Sequence, residues 1–281
     1  MQDEGEGEEF KAFEAEGWTR QATTYAELSG QITRRFAEPL LDAAEVEPGD
    51  RVLDVATGPG YVAELAARRG ARPTGLDLSE GMLAEARRRL PEVDFVAGDA
   101  EALPFADASF AAVVGNFVIN HLPDPERGVA EAARVLAPGG GLAFSVWDGP
   151  GGMPVMGLIG EAIEAAGAED DEAGAGIPPG PDPYRFAATD EFRALLEGAG
   201  LADVVVESVE LVHRVAGPEQ LWRGFLGGSV RGATLVRAQP EPVQARIREA
   251  LDEVVAPYAV ADGLELTVRA KLGSGRKGSS P

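Results

Sequence analysis

Residues 51–56 read RVLDVA, a short apolar run that ends on Thr57-Gly58-Pro59-Gly60 and passes at once into helical spacing over residues 61–69. A run of this length between turn signals, rich in β-branched residues, reads as a buried strand. The glycine turn then hands the chain directly to a helix, which Gly70 closes. The same alternation recurs downstream. A second strand is expected over residues 73–78, with Ser79 capping a helix over 80–90, and a third strand over 94–97. A loop with a short helix near Glu101 leads to a fourth strand over 110–115 and a helix over 126–136. Pro138-Gly139-Gly140 is a hard stop before a fifth strand, GLAFSVW, over 141–147. Strands alternating with helices of this length imply parallel βαβ units in an α/β domain.

The flanks read differently. Residues 1–9 are acidic and polar and are expected to be a disordered leader. Residues 10–44 are mostly helical, with Ile32, Phe36, Leu40 and Leu41 at helical spacing and Pro39 expected to kink or break the run. Past Asp148, glycine- and proline-rich loops surround a helical stretch over 155–166, an insertion spanning 149–188. A capped helix over 189–198 precedes a strand over 202–215. Two helices over 219–237 and 241–258 lie in a helical segment, 216–260, before a last strand over 264–272 and a polar tail. No internal repeat is present. Residues 10–281 are therefore read as one domain whose core is 45–148.

Composition narrows the function. A net charge of −22, from 25 basic and 47 acidic residues, repels phosphate backbones and anionic lipid, so nucleic acid is not expected as a partner. No run of about 18 apolar residues is present to span a membrane. The start lacks the basic and apolar stretches of a secretory signal, and the chain has no cysteine, so a cytoplasmic protein without disulfide or thiolate metal site is expected. Lysine occurs only at 11, 271 and 277, which with abundant alanine and glycine fits a GC-rich, salt-adapted source.

Three carboxylates mark a site. Asp54 sits on the first strand, four residues before Gly58. A carboxylate there repels a pyrophosphate but accepts bonds from a cationic or amine-bearing ligand. Asp77 ends the second strand nineteen residues past Gly58, the spacing at which an acid accepts both ribose hydroxyls of an adenosine. Asp99, in Gly98-Asp99-Ala100 after the third strand, is placed to take a bond from an adenine amine. Each alone also reads as a cap or turn former. Three on successive strand C-termini, where open α/β sheets bind ligands, are harder to explain that way.

The ordered stretches DVATGPG (54–60), GLDLS (75–79) with Met82, GDAE (98–101), LPF (103–105) and RVLAPGG (134–140) resemble the motifs of class I S-adenosylmethionine-dependent methyltransferases. Among these the sequence is most similar to the UbiE-like group. The likeness covers about residues 45–148 and departs at Ala56, where the general pattern has glycine. It implies a Rossmann-like, doubly wound, seven-stranded and mostly parallel sheet with the last strand antiparallel. It also implies N-terminal helices and a helical lid between the sixth and seventh strands. It implies S-adenosylmethionine as methyl donor, S-adenosylhomocysteine as product and no metal. The backbone at Ala56, Gly58 and Gly60 would line the methionine moiety, and Asp54 would help hold its amino group. Asp77 would take the ribose hydroxyls, Leu78 and Met82 would pack on the adenine, and Asp99 and Ala100 would bond it. Asn116 and Phe117 would lie beside the sulfonium, with Tyr25 over the donor.

The sulfonium is an activated methyl donor, so positioning and a dry pocket supply most of the acceleration. If the acceptor must lose a proton, His121 is the candidate base, since it follows the fourth strand on the ligand side. His213 reads as structural. Trp18, Tyr25, Trp147, Trp222 and Phe225 suit a small planar or apolar acceptor, and nothing in the sequence distinguishes a monomer from a homodimer. Two other readings stand beside this one. The first is a donor-binding protein without methyl transfer. The second is a nicotinamide-dependent oxidoreductase, against which stand Asp54, the incomplete G-x-G-x-x-G and Asp99.

Overall fold

The computed structural model describes residues 2–168, 171–172 and 174–278, except for the side chains of residues 2–4 and 150. The donor half follows the alternation read from the sequence. In chain order it comprises α1 (Gln2–Gln21), α2 (Ser29–Thr33), α3 (Ala37–Ala43), β1 (Arg51–Val55), α4 (Tyr61–Arg68), β2 (Arg72–Asp77), α5 (Glu80–Arg89), β3 (Asp94–Ala97), β4 (Phe110–Asn116), α6 (Pro125–Val135) and β5 (Leu136–Trp147). The second half adds α7 (Pro154–Ala165), α8 (Thr189–Gly198), β6 (Leu201–Val215), α9 (Pro218–Leu226), α10 (Val230–Ala238), α11 (Glu241–Val254), β7 (Ala259–Val260) and β8 (Gly263–Lys277).

The sheet order is β3-β2-β1-β4-β5-β8-β6, with β7 pairing β8 off that path. The pairs β3·β2, β2·β1, β1·β4 and β4·β5 are parallel, and β8 runs antiparallel to both β5 and β6. This is the doubly wound sheet expected, with one short extra strand. Alternation along the buried strands feeds two layers. Leu53, Val55 and Val113 join Leu142, Phe144, Val129 and Phe192 on one face. Val52, Ala112, Val114 and Ala143 join Leu40, Leu41 and Val62 on the other. A third cluster, including Leu158, Ile159, Leu221, Phe225, Val236, Ile247 and Leu251, packs the lid helices against α7 and the near ends of β6 and β8. Each such side chain stabilises by about 1.5–3 kcal/mol when fully buried, so the lid has its own apolar anchor.

Several expectations are corrected. The leader is not disordered: α1 begins at Gln2, and Phe10, Glu14 and Gln21 are buried. Acidic composition disfavours an isolated helix here, but docking against α5 and the lid helix α10 supplies the missing stability. Met1 lies outside the described residues. Pro39 marks a break in the run as expected: α2 gives way to a 3-10 turn over Arg34–Phe36, and Pro39 falls in the first turn of α3, where backbone N–H groups have no helical acceptor. The segment around Glu101 is not a helix. Asp99 Oδ1 accepts the Glu101 N–H at 2.8 Å and shapes an Asx-type turn. Residues 219–237 form two helices, not one, parted at Gly227-Gly228. The helix over 189–198 has no side-chain cap. The apparent polar tail continues β8 to Lys277, whose Nζ donates to the carbonyls of Ala133 at 2.7 Å and Leu136 at 2.7 Å. Residues 279–281 lie outside the described residues.

Candidate active site

At the C-terminal rim of the parallel strands, under α1 and the lid, lies a cavity of about 740 Å³. Among the residues the sequence singled out for the donor, Tyr25, Ala56, Gly58, Asp77, Leu78, Met82, Asp99, Ala100, Asn116 and Phe117 line it, and so does His121. Asp54 and Gly60 do not.

Asp54 instead organises the loop from beneath. It is 1 % exposed, and its Oδ2 accepts the Thr57 hydroxyl at 2.6 Å and the Ala63 N–H at 3.0 Å. Its Oδ1 is buried with no hydrogen-bond partner. Burial pushes the acid up to about 7, the two hydrogen bonds offsetting only part of that, while nearby Asp77 adds to it. Gly60 takes φ +83° as the residue before α4, where an added Cβ would press on Leu90 and Phe95. Sequence spacing put both residues at the end of β1 and could not say which way either one turns.

Asp77 faces the cavity at 8 % exposure, its Oδ2 accepting Gly58 N–H at 2.8 Å and its Oδ1 accepting Ser79 N–H at 2.8 Å. Burial raises it to about 6 against the pull of those N–H groups. One carboxylate thus ties the end of β2 to the β1 turn and keeps a second lone pair on each oxygen for a ligand. Ala56 holds φ +54° in that turn, a left-handed conformation that costs an L-residue about 1 kcal/mol. At the end of β4, Asn116 donates to the Thr33 carbonyl at 3.0 Å and accepts from Ser145 at 2.7 Å. Phe117, also left-handed at φ +60°, stacks on Trp147 with ring centroids 3.8 Å apart.

Three charged or polar groups were missed, all brought in by α1. Lys11 donates to Asp99 Oδ2 at 2.7 Å and reaches Glu101 Oε2 at 2.7 Å. Burial pulls the Lys11 ammonium down, but the two carboxylates outweigh it and hold it above its ordinary value. Glu14 Oε2 accepts the Trp18 indole N–H at 2.8 Å and meets His121 Nδ1 at 2.8 Å. Thr19 Oγ1 lies 3.0 Å from Ser79 Oγ. Lys11, Glu14, Ala15 and Trp18 all line the cavity, and their i, i+3, i+4, i+7 spacing is the signal that marks one helical face. Tyr25 touches Thr33 Oγ1 at 3.0 Å, and burial pushes its phenol up to about 12.

Beyond His121 the wall is mostly apolar, with Trp147, Met153, Val155, Met156, Ile159, Phe225 and Leu235, while Glu164, Glu172 and Arg231 also line it. Trp222, grouped with these aromatics on sequence, packs in the lid core and does not reach the cavity. Lys11 and Arg231 are the cavity's lysine and arginine among the described residues, and Arg231 is paired with Glu172 at 2.8 Å. His213 is buried in β6, its Nε2 without a hydrogen-bond partner, and burial with the charges of Arg35 and Arg34 lowers its pKa. It plays no part in the cavity.

Residues 53–144 match the family model of a methyltransferase domain. A demethylmenaquinone methyltransferase of Renibacterium salmoninarum is 46% identical over 123 residues, 44% of this chain and 52% of the relative. Another, from Mycobacterium sp. strain KMS, is 37% identical over 189 residues, 67% of this chain and 76% of the relative. The chain belongs to the UbiE-like class I methyltransferases. Against the first curated relatives, this UbiE-like chain spans about half of their length, 49–55%. The YcgJ protein of Bacillus subtilis superposes with a TM-score of 0.56 at 21% identity, covering 88% of this chain and 99% of that one, a likeness of fold. Among the described residues of the UbiE-like chain, no helix is long and apolar enough to cross a membrane. No group of three or more His, Cys, Asp or Glu among them is arranged to hold a metal ion.

Proposed function

We propose that this chain transfers a methyl group from S-adenosylmethionine to a small, apolar and planar organic acceptor in the cytoplasm. The observation that carries this reading is the cavity's polarity. Asp77 and Asp99 stand at successive strand ends, while Lys11 and Arg231 are spent on carboxylates. Such a rim suits a cationic sulfonium and a neutral ribose, and among the described residues it offers no free cation to a pyrophosphate. The buried, unpartnered Oδ1 of Asp54 adds negative potential beneath the Ala56–Gly58 turn. When bound, the donor supplies a methyl group on an already activated sulfur.

The chain's own residues do the rest. Asp77 would accept the ribose hydroxyls on its spare lone pairs, with Leu78 and Met82 against the adenine and Asp99 and Ala100 at its edge. Gly58 and Ala56 bring backbone close to the methionine moiety, and Tyr25, Asn116 and Phe117 close the site around the reacting centre. The stacked Phe117 and Trp147 rings and the apolar wall hold a flat acceptor and exclude water, which strengthens every electrostatic contact inside. His121 stands at the boundary between donor and acceptor ends as the group able to take a proton. The relatives named demethylmenaquinone methyltransferases make reduced demethylmenaquinone the first acceptor to try.

The test is calorimetric titration with S-adenosylhomocysteine and with NADH, followed by label transfer from methyl-labelled S-adenosylmethionine to reduced demethylmenaquinone and a panel of phenols and amines. Micromolar binding of the homocysteine product, none of NADH, and label in an organic acceptor are expected. Binding of NADH alone would overturn the reading.

A further inference from the structure

We propose that Glu14, acting through Nδ1 of His121, holds that imidazole in the tautomer whose Nε2 receives the acceptor's proton. This rests on the methyl-transfer reading above and assigns α1 a part in it. Glu14 is 5 % exposed, and one of its oxygens, Oε2, faces both the Trp18 indole nitrogen at 2.8 Å and His121 Nδ1 at 2.8 Å. An indole nitrogen only donates, and an ionised carboxylate only accepts. The ring nitrogen turned toward that oxygen must therefore carry its proton. A neutral imidazole has one N–H, so the proton on Nδ1 leaves Nε2 with a lone pair. Nε2 has no hydrogen-bond partner among the described residues, and the side chain is 40 % exposed in the cavity wall.

The surroundings hold the arrangement. The Trp18 ring stands edge-on to the imidazole with centroids 5.6 Å apart, and edge-on to Tyr25 at 5.8 Å, so the indole braces His121 from the side. No lysine or arginine pairs with Glu14 among the described residues, so its charge is shared between the indole N–H and the imidazole. In the transfer, the acceptor's nucleophilic atom gains the methyl carbon and gives its proton to Nε2. The methyl's former bonding pair stays with the donor's sulfur, which departs as a neutral thioether. The imidazolium, its charge offset by Glu14, then returns the proton to water. Glu14 touches no reacting atom and is a positioning residue.

The chain contains two histidines, so its nitrogen spectrum holds two imidazoles, and a His121→Gln variant assigns them. In alkaline buffer the wild-type protein is expected to show His121 protonated at Nδ1 and bare at Nε2. Glu14→Leu, which removes the acceptor, is expected to convert it to the Nε2–H form. The same variant should lower kcat toward reduced demethylmenaquinone by about 10²-fold while changing KM and S-adenosylhomocysteine affinity by less than about twofold. Glu14→Gln retains an amide oxygen, so it should keep the Nδ1–H form and an intermediate rate. A wild-type His121 protonated at Nε2, or a Glu14→Leu tautomer like the wild type, would overturn the proposal. If Glu14→Leu does not fold, the wild-type spectrum and the rate of Glu14→Gln decide it. Failure of the wild type to bind S-adenosylhomocysteine would sink the methyl-transfer reading instead, while the tautomer spectrum would still decide whether Glu14 orients the ring.

Discussion

Asp77 is where burial and ligand chemistry meet most directly. Loss of water around its carboxylate pushes it up to about 6, so near neutral pH it is ionised but only a short way above its midpoint. An ionised carboxylate accepts hydroxyl protons on both oxygens, and protonation removes part of that capacity. Under the methyl-transfer reading, affinity for S-adenosylhomocysteine should therefore rise as pH increases through 6 and level off above it. Asp77→Asn should weaken binding by about 1.5–3 kcal/mol and flatten the pH dependence, as read by titration calorimetry at acidic and alkaline pH. A flat wild-type profile would separate Asp77 from the ligand. Asp54 shows the limit of reading residues one at a time. It stands on the predicted rim, yet it is turned into the protein toward Thr57 and Ala63. Strand position was legible from the RVLDVA run; the direction of a carboxylate at the strand's end depends on which N–H groups the following turn presents.

At the scale of the element, α1 changes character most between sequence and structure. Its acidic start reads as leader because no local pattern reports the surface that receives it. In the fold it spans the cavity mouth, bonded to β3's turn through Lys11, to the segment after β4 through Glu14, and to the lid through Gln21 and Ser229 at 2.9 Å. Lys11 is the tightest tie, since Glu101 beside it is only 4 % exposed and accepts the Asp124 N–H with its other oxygen at 2.7 Å. Removing the cation leaves a buried carboxylate without its partner, which is more damaging than the loss of a surface pair. Lys11→Met should loosen α1 by about 1–3 kcal/mol, seen as faster amide exchange across Gln2–Gln21 while exchange in β1 and β4 stays slow. Unchanged exchange in α1 would mean that apolar docking around Phe10 holds the helix alone.

For the whole molecule, a charge of −22 is the dominant long-range fact. Most of the ion pairs are exposed, such as Arg68–Glu64 and Arg269–Glu210, and pairs of that kind contribute about 0–1 kcal/mol each. Repulsion among the surplus carboxylates opposes folding over longer distances, and salt shortens that reach from about 10 Å at 0.1 M to about 3 Å at 1 M. The melting temperature should accordingly rise with sodium chloride over that range in a thermal scan. A fall would show that the surface pairs outweigh the net repulsion. The same acidity surrounds an apolar cavity reached by α1, α7, the lid and the strand ends together, an assembly that no single segment encodes.

Sequence alone determined the alternation of strands and helices, the glycine turn after β1 and the placing of three acids at strand ends. These follow from local rules: side-chain period, turn-forming residues and the commitment of short apolar runs to a buried sheet. Tertiary structure alone decided which acids face the cavity, that residues 273–277 complete β8, and that Lys11 and Glu14 belong to the site. The last two of those outcomes rest on partners distant in the sequence, as with Lys11–Asp99, 88 residues apart, and Lys277–Ala133, 144 apart. Contacts of that range leave no periodic trace in the chain, because the energy that selects them exists only once both surfaces have formed.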